Sequence, residues 1–178
     1  LTLSKYRDTT YFSAANGQGG LSHGVGYMDT LEWLYRLTGK DVYRDGAVWL
    51  YEDYQNLPSR DQDMKLDALL SPDRAWEEHT PHIMEGLHMP AVVARLTGET
   101  LYQRAAKMAL QKFDQHANPS GGVVGDESVG GRAGSVDMPA EYCTMTEGVS
   151  SLNRILAWQG ELSVGQRVER VCLNAAQG

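Results

Sequence analysis

The sequence predicts an all-α fold of consecutive αα-hairpins that form part of an (α/α)₆ toroid, and three observations support this. The motif Arg-Leu-Thr-Gly begins at Arg36 and again at Arg95, 59 residues later. Apolar residues recur at helical spacing around each copy. A glycine follows the last periodic residue, where a left-handed C′ position favours glycine. A period near 60 residues exceeds the common repeats of ~34 residues and fits two helices plus a long loop.

Three hairpins account for this periodicity, with turns at Gly39, Gly98 and Gly160. A weaker third copy of the motif surrounds Gly160, which stands 62 residues after Gly98. The apolar positions that lead to the first two turns are Met28, Leu31, Leu34 and Tyr35, and then Ile83, Leu87, Val92, Val93 and Leu96. The third hairpin runs from about Ala140 to Trp158 and returns through Val164 to Ala175. Short turns make the two helices of each pair antiparallel.

Long segments between the hairpins are predicted to be irregular. Residues 57–76 are acidic and contain Pro58 and Pro72, and residues 117–138 contain Pro119 and six glycines. Loops of this length in a compact domain are usually functional or disordered. We therefore expect functional residues in these loops.

The composition is that of a single globular domain of 178 residues. A net charge of −7 argues against nucleic acid as a partner. No apolar run approaches the ~18–20 residues that span a membrane. Cys143 and Cys172 cannot build a disulfide framework, although a single bridge stays open.

A closed toroid of six such hairpins would need roughly 360 residues. Three hairpins supply about half of that, and an open half-toroid would expose the apolar flank of its last helix. The expectation is therefore a fragment of a longer toroid, or a partner such as a second copy that covers the flank.

The glycine-rich segment 120–132 contains the first candidate catalytic residues, Asp126 and Glu127. In a toroid, loops between hairpins gather at one mouth, and glycines allow the backbone to approach a ligand closely. Hydrolysis of a glycosidic bond needs a protonated carboxyl group near the leaving oxygen. The alternative is an exposed acidic turn in a flexible loop.

Glu141 and Cys143 open the third hairpin and form a candidate metal pair. Zinc accepts thiolate and carboxylate ligands, but two ligands do not complete a site. Glu147, one helical turn beyond Cys143, is a weaker candidate. The alternative is a first-turn glutamate favoured by the helix dipole, followed by a core cysteine.

His79 and His82 lie where the second hairpin begins, with Pro81 suited to the first helical turn. His23 occupies a similar position in the first hairpin. These histidines could bind sugar hydroxyls or titrate, or they could be capping or solvated residues. Trp76, in the loop just before His79, is predicted to offer a ring face to a ligand.

These motifs, taken in order, resemble those of glycoside hydrolase family 127, the β-L-arabinofuranosidase-like proteins. The resembling pattern is a helix-start His followed by Leu-Thr-Gly, an acidic glycine-rich loop, Glu-x-Cys, and Glu169-Arg170-Val-Cys-Leu-Asn174. The run from Trp33 to Gly39 is similar to an earlier hairpin of the same proteins. The resemblance implies an (α/α)₆ six-hairpin glycosidase.

The resemblance also implies roles for individual residues. Glu127 matches the general acid/base. The segment between Glu127 and Glu-x-Cys is shorter than the family pattern implies, so Asp126 is a rival for that role. Glu141 and Cys143 match two zinc ligands, and His79 matches a histidine of the sugar pocket. The nucleophilic cysteine and the remaining zinc ligand of the family lie in a Cys-Cys pair further downstream, so zinc is conditional on ligands outside this chain.

The leading hypothesis is therefore a retaining glycoside hydrolase that acts on oligosaccharides. The first alternative is a polysaccharide lyase or sugar epimerase on the same toroid, which would use His or Tyr as base. The second is a non-enzymatic helical-repeat scaffold that offers an apolar groove to a protein.

Overall fold

A computed structural model describes residues 20–56 and 61–177, and these residues are mainly helical. The helices are α1 (Gly20–Thr38), α2 (Asp41–Gln55), α3 (Leu66–Leu70), α4 (Thr80–Gly86), α5 (Met89–Thr97), α6 (Thr100–His116), α7 (Tyr142–Gln159) and α8 (Leu162–Arg170), followed by a π-helical turn (Val171–Ala175). Among the described residues, β-structure is limited to isolated bridges. The predicted all-α class is confirmed.

The helices pack as three adjacent hairpins. Helix α1 packs on α2, α5 on α6 and α7 on α8, as the three turns predict. Helix α4 contacts both α1 and α7, and α2 contacts α5. The first helices of the three hairpins therefore lie side by side, with α4 in the middle. The candidate site lies at the N-terminal ends of α4 and α7.

In each of the first two hairpins, the helix before the turn ends at a Thr-Gly pair, and both pairs make the same hydrogen bonds. Gly39, Gly98 and Gly160 have φ values of 65°, 74° and 67°. Each donates its N–H to the carbonyl four residues earlier at 2.8 Å. Thr38 and Thr97 donate their hydroxyls to the carbonyls of Leu34 and Val93, at 2.7 and 2.8 Å. The motif is thus a helix C-cap, which explains why it repeats.

Replacing Gly98 by Ala is expected to lower the free energy of unfolding by about 1–2 kcal/mol, because an L-residue is strained at positive φ. An added Cβ would meet no atom within 4 Å, so the backbone conformation is the whole effect. Gly165→Ala in α8 is the matched control, since its Cβ would make only ordinary contacts at 3.7 and 3.8 Å. That control should stabilise the protein slightly in urea unfolding. Equal effects of the two substitutions would contradict the cap.

The arm leading to Gly98 is broken into two helices. Helix α4 ends at Gly86 and α5 begins at Met89, with Pro90 in the first turn of α5. Proline has no N–H to continue the α4 hydrogen bonds, so a break is expected near it. His88 lies in this break and is buried.

Both predicted irregular segments are largely non-helical. Residues 117–138 contain no helix, as the glycines predict. Within 57–76 the described part, from residue 61, contains the short helix α3, which the sequence analysis missed.

Among the described residues, no helix is both long and apolar enough to span a membrane. Both cysteines are free thiols, so the single bridge is absent.

Candidate functional site

Hydrogen bonds fix the glycine-rich loop against the segment that leads into α4. Val129, Gly130 and Gly131 donate their N–H groups to the carbonyls of residues 78, 77 and 76, at 3.0, 3.1 and 2.8 Å. On its other side, Gly125 donates its N–H to the carbonyl of Pro139 at 2.9 Å. The loop is therefore an ordered connection between the starts of α4 and α7, and not the flexible turn that its glycines suggest.

Gly125 makes this close approach possible. Its φ is 155°, and an added Cβ would collide with Thr80 Oγ1 and lie 3.0 Å from the Ser128 carbonyl oxygen. A side chain at this position would push the loop away from α4. The sequence analysis expected such an approach of backbone to a ligand, whereas here the loop approaches a helix.

This packing brings together three residues that the sequence analysis named as candidate site residues. Potential ligand atoms of His79, Glu127 and Glu141 all lie within 4.8 Å of one another. His79 Nδ1 is 3.5 Å from Glu127 Oε2, and the Glu127 side chain is 80% exposed. The site is thus a small open group of one imidazole and two carboxyls at the start of two neighbouring helices.

The hydrogen bond of His79 determines which ring nitrogen is available. Nδ1 lies 2.6 Å from the backbone carbonyl oxygen of Glu127. A carbonyl oxygen only accepts, so Nδ1 carries the proton. In the neutral ring, Nε2 then keeps a lone pair for a metal or a hydroxyl proton. A histidine that ligates a metal is commonly oriented by a bond of this kind.

Cys143 extends the cluster beside Glu141. Its thiol hydrogen-bonds the Glu141 carboxylate, and that bond, with the charges of Glu141 and Glu147, raises the pKa of Cys143. Glu141 Oε2 is buried and has no hydrogen-bond partner among the described residues. An unpaired carboxylate oxygen beside a thiol, with imidazole nearby, is a donor set that suits a zinc ion. Glu147 is half-buried and contributes charge only.

Asp126 is turned to a different partner. One of its carboxylate oxygens accepts a hydrogen bond from Arg132 at 2.9 Å, and its side chain is 72% exposed. The bond to Arg132 lowers the pKa of Asp126. The Asp126 carboxylate is therefore paired with Arg132, whereas Glu127 lies beside His79 and Glu141, and this position makes Glu127 the better candidate acid.

His82 lies beside His79 in the first turn of α4. The two rings meet edge to face at 4.4 Å, and His82 Nδ1 is 3.2 Å from Asp61 Oδ1. The hydrogen bond to Asp61 raises the pKa of His82. His23 lies in α1 by its backbone, and its side chain lies outside the described residues.

Glu78 and Asp63 form a carboxyl pair that sequence reasoning missed. Asp63 accepts the N–H groups of Glu77 and Glu78 at 2.8 and 2.9 Å, while Glu78 accepts those of Gln62 and Asp63. Burial and the Asp63 charge raise the pKa of Glu78 to about 7. A carboxyl whose pKa is raised toward neutrality by burial and a neighbouring charge is a functional candidate. The Glu77-Glu78-His79 run was its only signal in the sequence.

Trp76 is not available to a sugar, which corrects its predicted role. Its side chain is 1% exposed, and its ring stacks on that of His116 at 5.3 Å. The Trp76 backbone N–H also donates to His116 Nε2 at 3.1 Å, and His116 Nδ1 donates to the Arg132 carbonyl oxygen. His116 therefore bonds both the segment before α4, at Trp76, and the glycine-rich loop, at Arg132, and the stacked Trp76 and His116 rings lie in the core.

His116 should make stability depend on pH. Burial lowers the pKa of its imidazole. The unfolded chain takes up a proton on this residue near pH ~6.5, while the folded ring stays neutral to lower pH. The free energy of unfolding therefore falls as the pH drops below about 6.5. His116→Gln keeps a donor and an acceptor but cannot titrate. We expect its stability deficit in urea unfolding to narrow as the pH is lowered, and a pH-independent deficit would contradict this.

No protein-family model, curated protein or solved structure matches this chain.

Proposed function

We propose that the chain carries part of the active site of a glycoside hydrolase, with Glu127 as the general acid. The observation that supports this most directly is the ordered loop that holds Glu127 beside His79 and Glu141. The carboxyl group is open to an approaching ligand, as a residue that protonates a leaving oxygen must be. The resemblance to the β-L-arabinofuranosidase-like proteins gives the substrate class, an oligosaccharide ending in L-arabinofuranose.

The arrangement of the hairpins supports the finer proposal of an (α/α)₆ toroid. Helices α1, α4 and α7 lie side by side, and each of these arms is followed by a returning helix. His79 and Glu141 immediately precede α4 and α7, so the candidate residues lie at the N-terminal ends of two adjacent helices. Further hairpins on the α7–α8 side would meet Leu162 and Leu173, which are 77% and 56% exposed.

Within this site each residue has a distinct task. Glu127 donates a proton to the leaving oxygen and later accepts one from water, as retention requires. His79 offers Nε2 to a sugar hydroxyl or to a metal. Glu141 and Cys143 would hold a zinc ion, and a zinc ion there would supply positive charge beside the carboxylates. Asp61 lies at hydrogen-bond distance from His82 Nδ1 and raises the pKa of His82, so His82 is the residue that the lyase or epimerase alternative would use as its base.

Hydrolysis of a panel of p-nitrophenyl glycosides tests the proposal. The protein tested contains this chain together with the downstream Cys-Cys pair that the resemblance implies, and zinc is present. We expect it to cleave p-nitrophenyl β-L-arabinofuranoside faster than the corresponding pyranosides. Cleavage of none of these glycosides by that protein would refute the hydrolase.

Cobalt(II) provides a spectroscopic test of the metal pair that does not depend on activity. We expect the protein to bind cobalt with a thiolate-to-metal charge-transfer band in the near ultraviolet, because Cys143 lies beside Glu141. Cys143→Ser should abolish the band, whereas the control Cys172→Ser should keep it. A band that survives in Cys143→Ser would place the metal elsewhere.

A further inference from the structure

Arg132 contacts the loop on both sides of Glu127. Its guanidinium donates to the Asp126 carboxylate at 2.9 Å, to the Val129 carbonyl oxygen at 2.8 Å and to the Ser128 carbonyl oxygen. One side chain therefore bonds residues 126, 128 and 129 while leaving Glu127 untouched.

The backbone of Glu127 is held from the opposite side. Its carbonyl oxygen accepts hydrogen bonds from the Thr80 N–H at 2.9 Å and from His79 Nδ1 at 2.6 Å. Val129, fully buried at 0% exposure, anchors the loop in the core. The Glu127 backbone is thus held against the start of α4, while its side chain is 80% exposed.

We propose that Arg132 and Asp126 are positioning residues for Glu127. Arg132 closes the 126–129 turn so that the Glu127 carboxyl is directed to His79 and Glu141, and Asp126 completes the clamp as the partner of the guanidinium. This inference rests on the proposed function of Glu127. It gives Asp126 a role other than that of a rival acid.

The geometry of the clamp depends on the guanidinium group. Nε and one terminal nitrogen of Arg132 reach different acceptors from two positions of one rigid plane, whereas a lysine ammonium would have to make all of these bonds from a single atom. Lysine at this position would keep a charge for Asp126 but would lose the simultaneous bonds to the two carbonyls. The clamp therefore predicts that Arg132→Lys behaves as a defective variant.

Steady-state kinetics on aryl glycosides tests the positioning role. We expect Arg132→Lys and Arg132→Ala to lower kcat by about 10- to 100-fold with little change in KM, because a misplaced acid slows the reaction and not binding. Added guanidinium at millimolar concentration should restore part of kcat in Arg132→Ala and not in the wild type. Asp126→Asn should lower kcat less. Arg44→Lys is the matched control, since Arg44 pairs with Asp41 and Asp45 on the surface of α2.

A second measurement separates the clamp from the proposed reaction. Amide hydrogen exchange at Thr80, whose N–H bonds to Glu127, should accelerate in Arg132→Ala without any substrate. Wild-type kcat in Arg132→Lys, or unchanged exchange at Thr80, overturns the inference. If exchange accelerates but Glu127→Gln turns over normally, the clamp stands and the proposed function of Glu127 fails.

Discussion

Glu127→Gln is expected to lower kcat on glycosides by about 10²- to 10⁴-fold, the usual contribution of a general acid or base. Glutamine keeps the size and the backbone contacts of the residue but has no proton to transfer. The Glu127 carbonyl still accepts from Thr80 and His79, and the side chain is mostly exposed, so folding should be unaffected.

The size of the loss should depend on the leaving group. A glycoside with p-nitrophenol as leaving group departs without much protonation, whereas an alkyl glycoside requires the acid. We therefore expect Glu127→Gln to impair the alkyl glycoside far more. Azide needs no base to attack the glycosyl intermediate. Added azide should therefore accelerate turnover of the aryl substrate by Glu127→Gln and give a glycosyl azide of retained configuration if the mechanism is retaining.

Glu99→Gln is the control, because Glu99 is an exposed glutamate at the start of α6, at the turn end of its hairpin. Its kinetic constants should match those of the wild type. An unchanged kcat in Glu127→Gln would refute the acid assignment. Equal losses for both classes of leaving group would instead indicate that Glu127 only shapes the site.

The features that the sequence predicted well are those determined by neighbouring residues. The Thr-Gly cap depends on contacts within four residues, so its recurrence at Gly39 and Gly98 is legible along the chain. Pro81 at the first turn of α4 is equally local. The order of His79, Glu127 and Glu141 also suggested one site, but their convergence within 4.8 Å is visible only in the structure.

Apart from the short local helix α3, the missed features depend on contacts between distant segments. Trp76 could be placed in the core only through His116, 40 residues away. Asp63 and Glu78 are 15 residues apart, and the carboxylate of each accepts the backbone N–H of the other. No periodicity or motif encodes such pairs, since hydrophobic patterning specifies which face is buried and not which residues meet there.

His88→Ala is expected to lower the free energy of unfolding by about 3 kcal/mol, by leaving a cavity and breaking buried hydrogen bonds. His88 is 3% exposed. Its Nε2 lies 2.8 Å from Asp29 Oδ1 in α1, and its Nδ1 lies 2.9 Å from Ser151 Oγ in α7. The residue therefore connects the break between α4 and α5 to both neighbouring helices.

The donor role of Nε2 in this network follows from its acceptor. The Asp29 carboxylate only accepts, so Nε2 donates to it. Nδ1 lies beside Ser151 Oγ, which is itself 2.6 Å from the Met84 carbonyl oxygen, so the imidazole, the hydroxyl and the carbonyl form one buried chain of contacts. Asp29 also pairs with Arg154 at 3.2 Å, which limits the loss when His88 is removed.

Urea unfolding with His79→Ala as the control would measure this contribution. The control removes the same side chain from a half-exposed position at the start of α4, and its effect should stay below about 1 kcal/mol. A double-mutant cycle of His88→Ala with Ser151→Ala should give a coupling of about 0.5–3 kcal/mol, as for residues that share one network. Similar destabilisation by the two histidine variants, or additive effects in the cycle, would show that α1, α4 and α7 are held together by apolar packing alone.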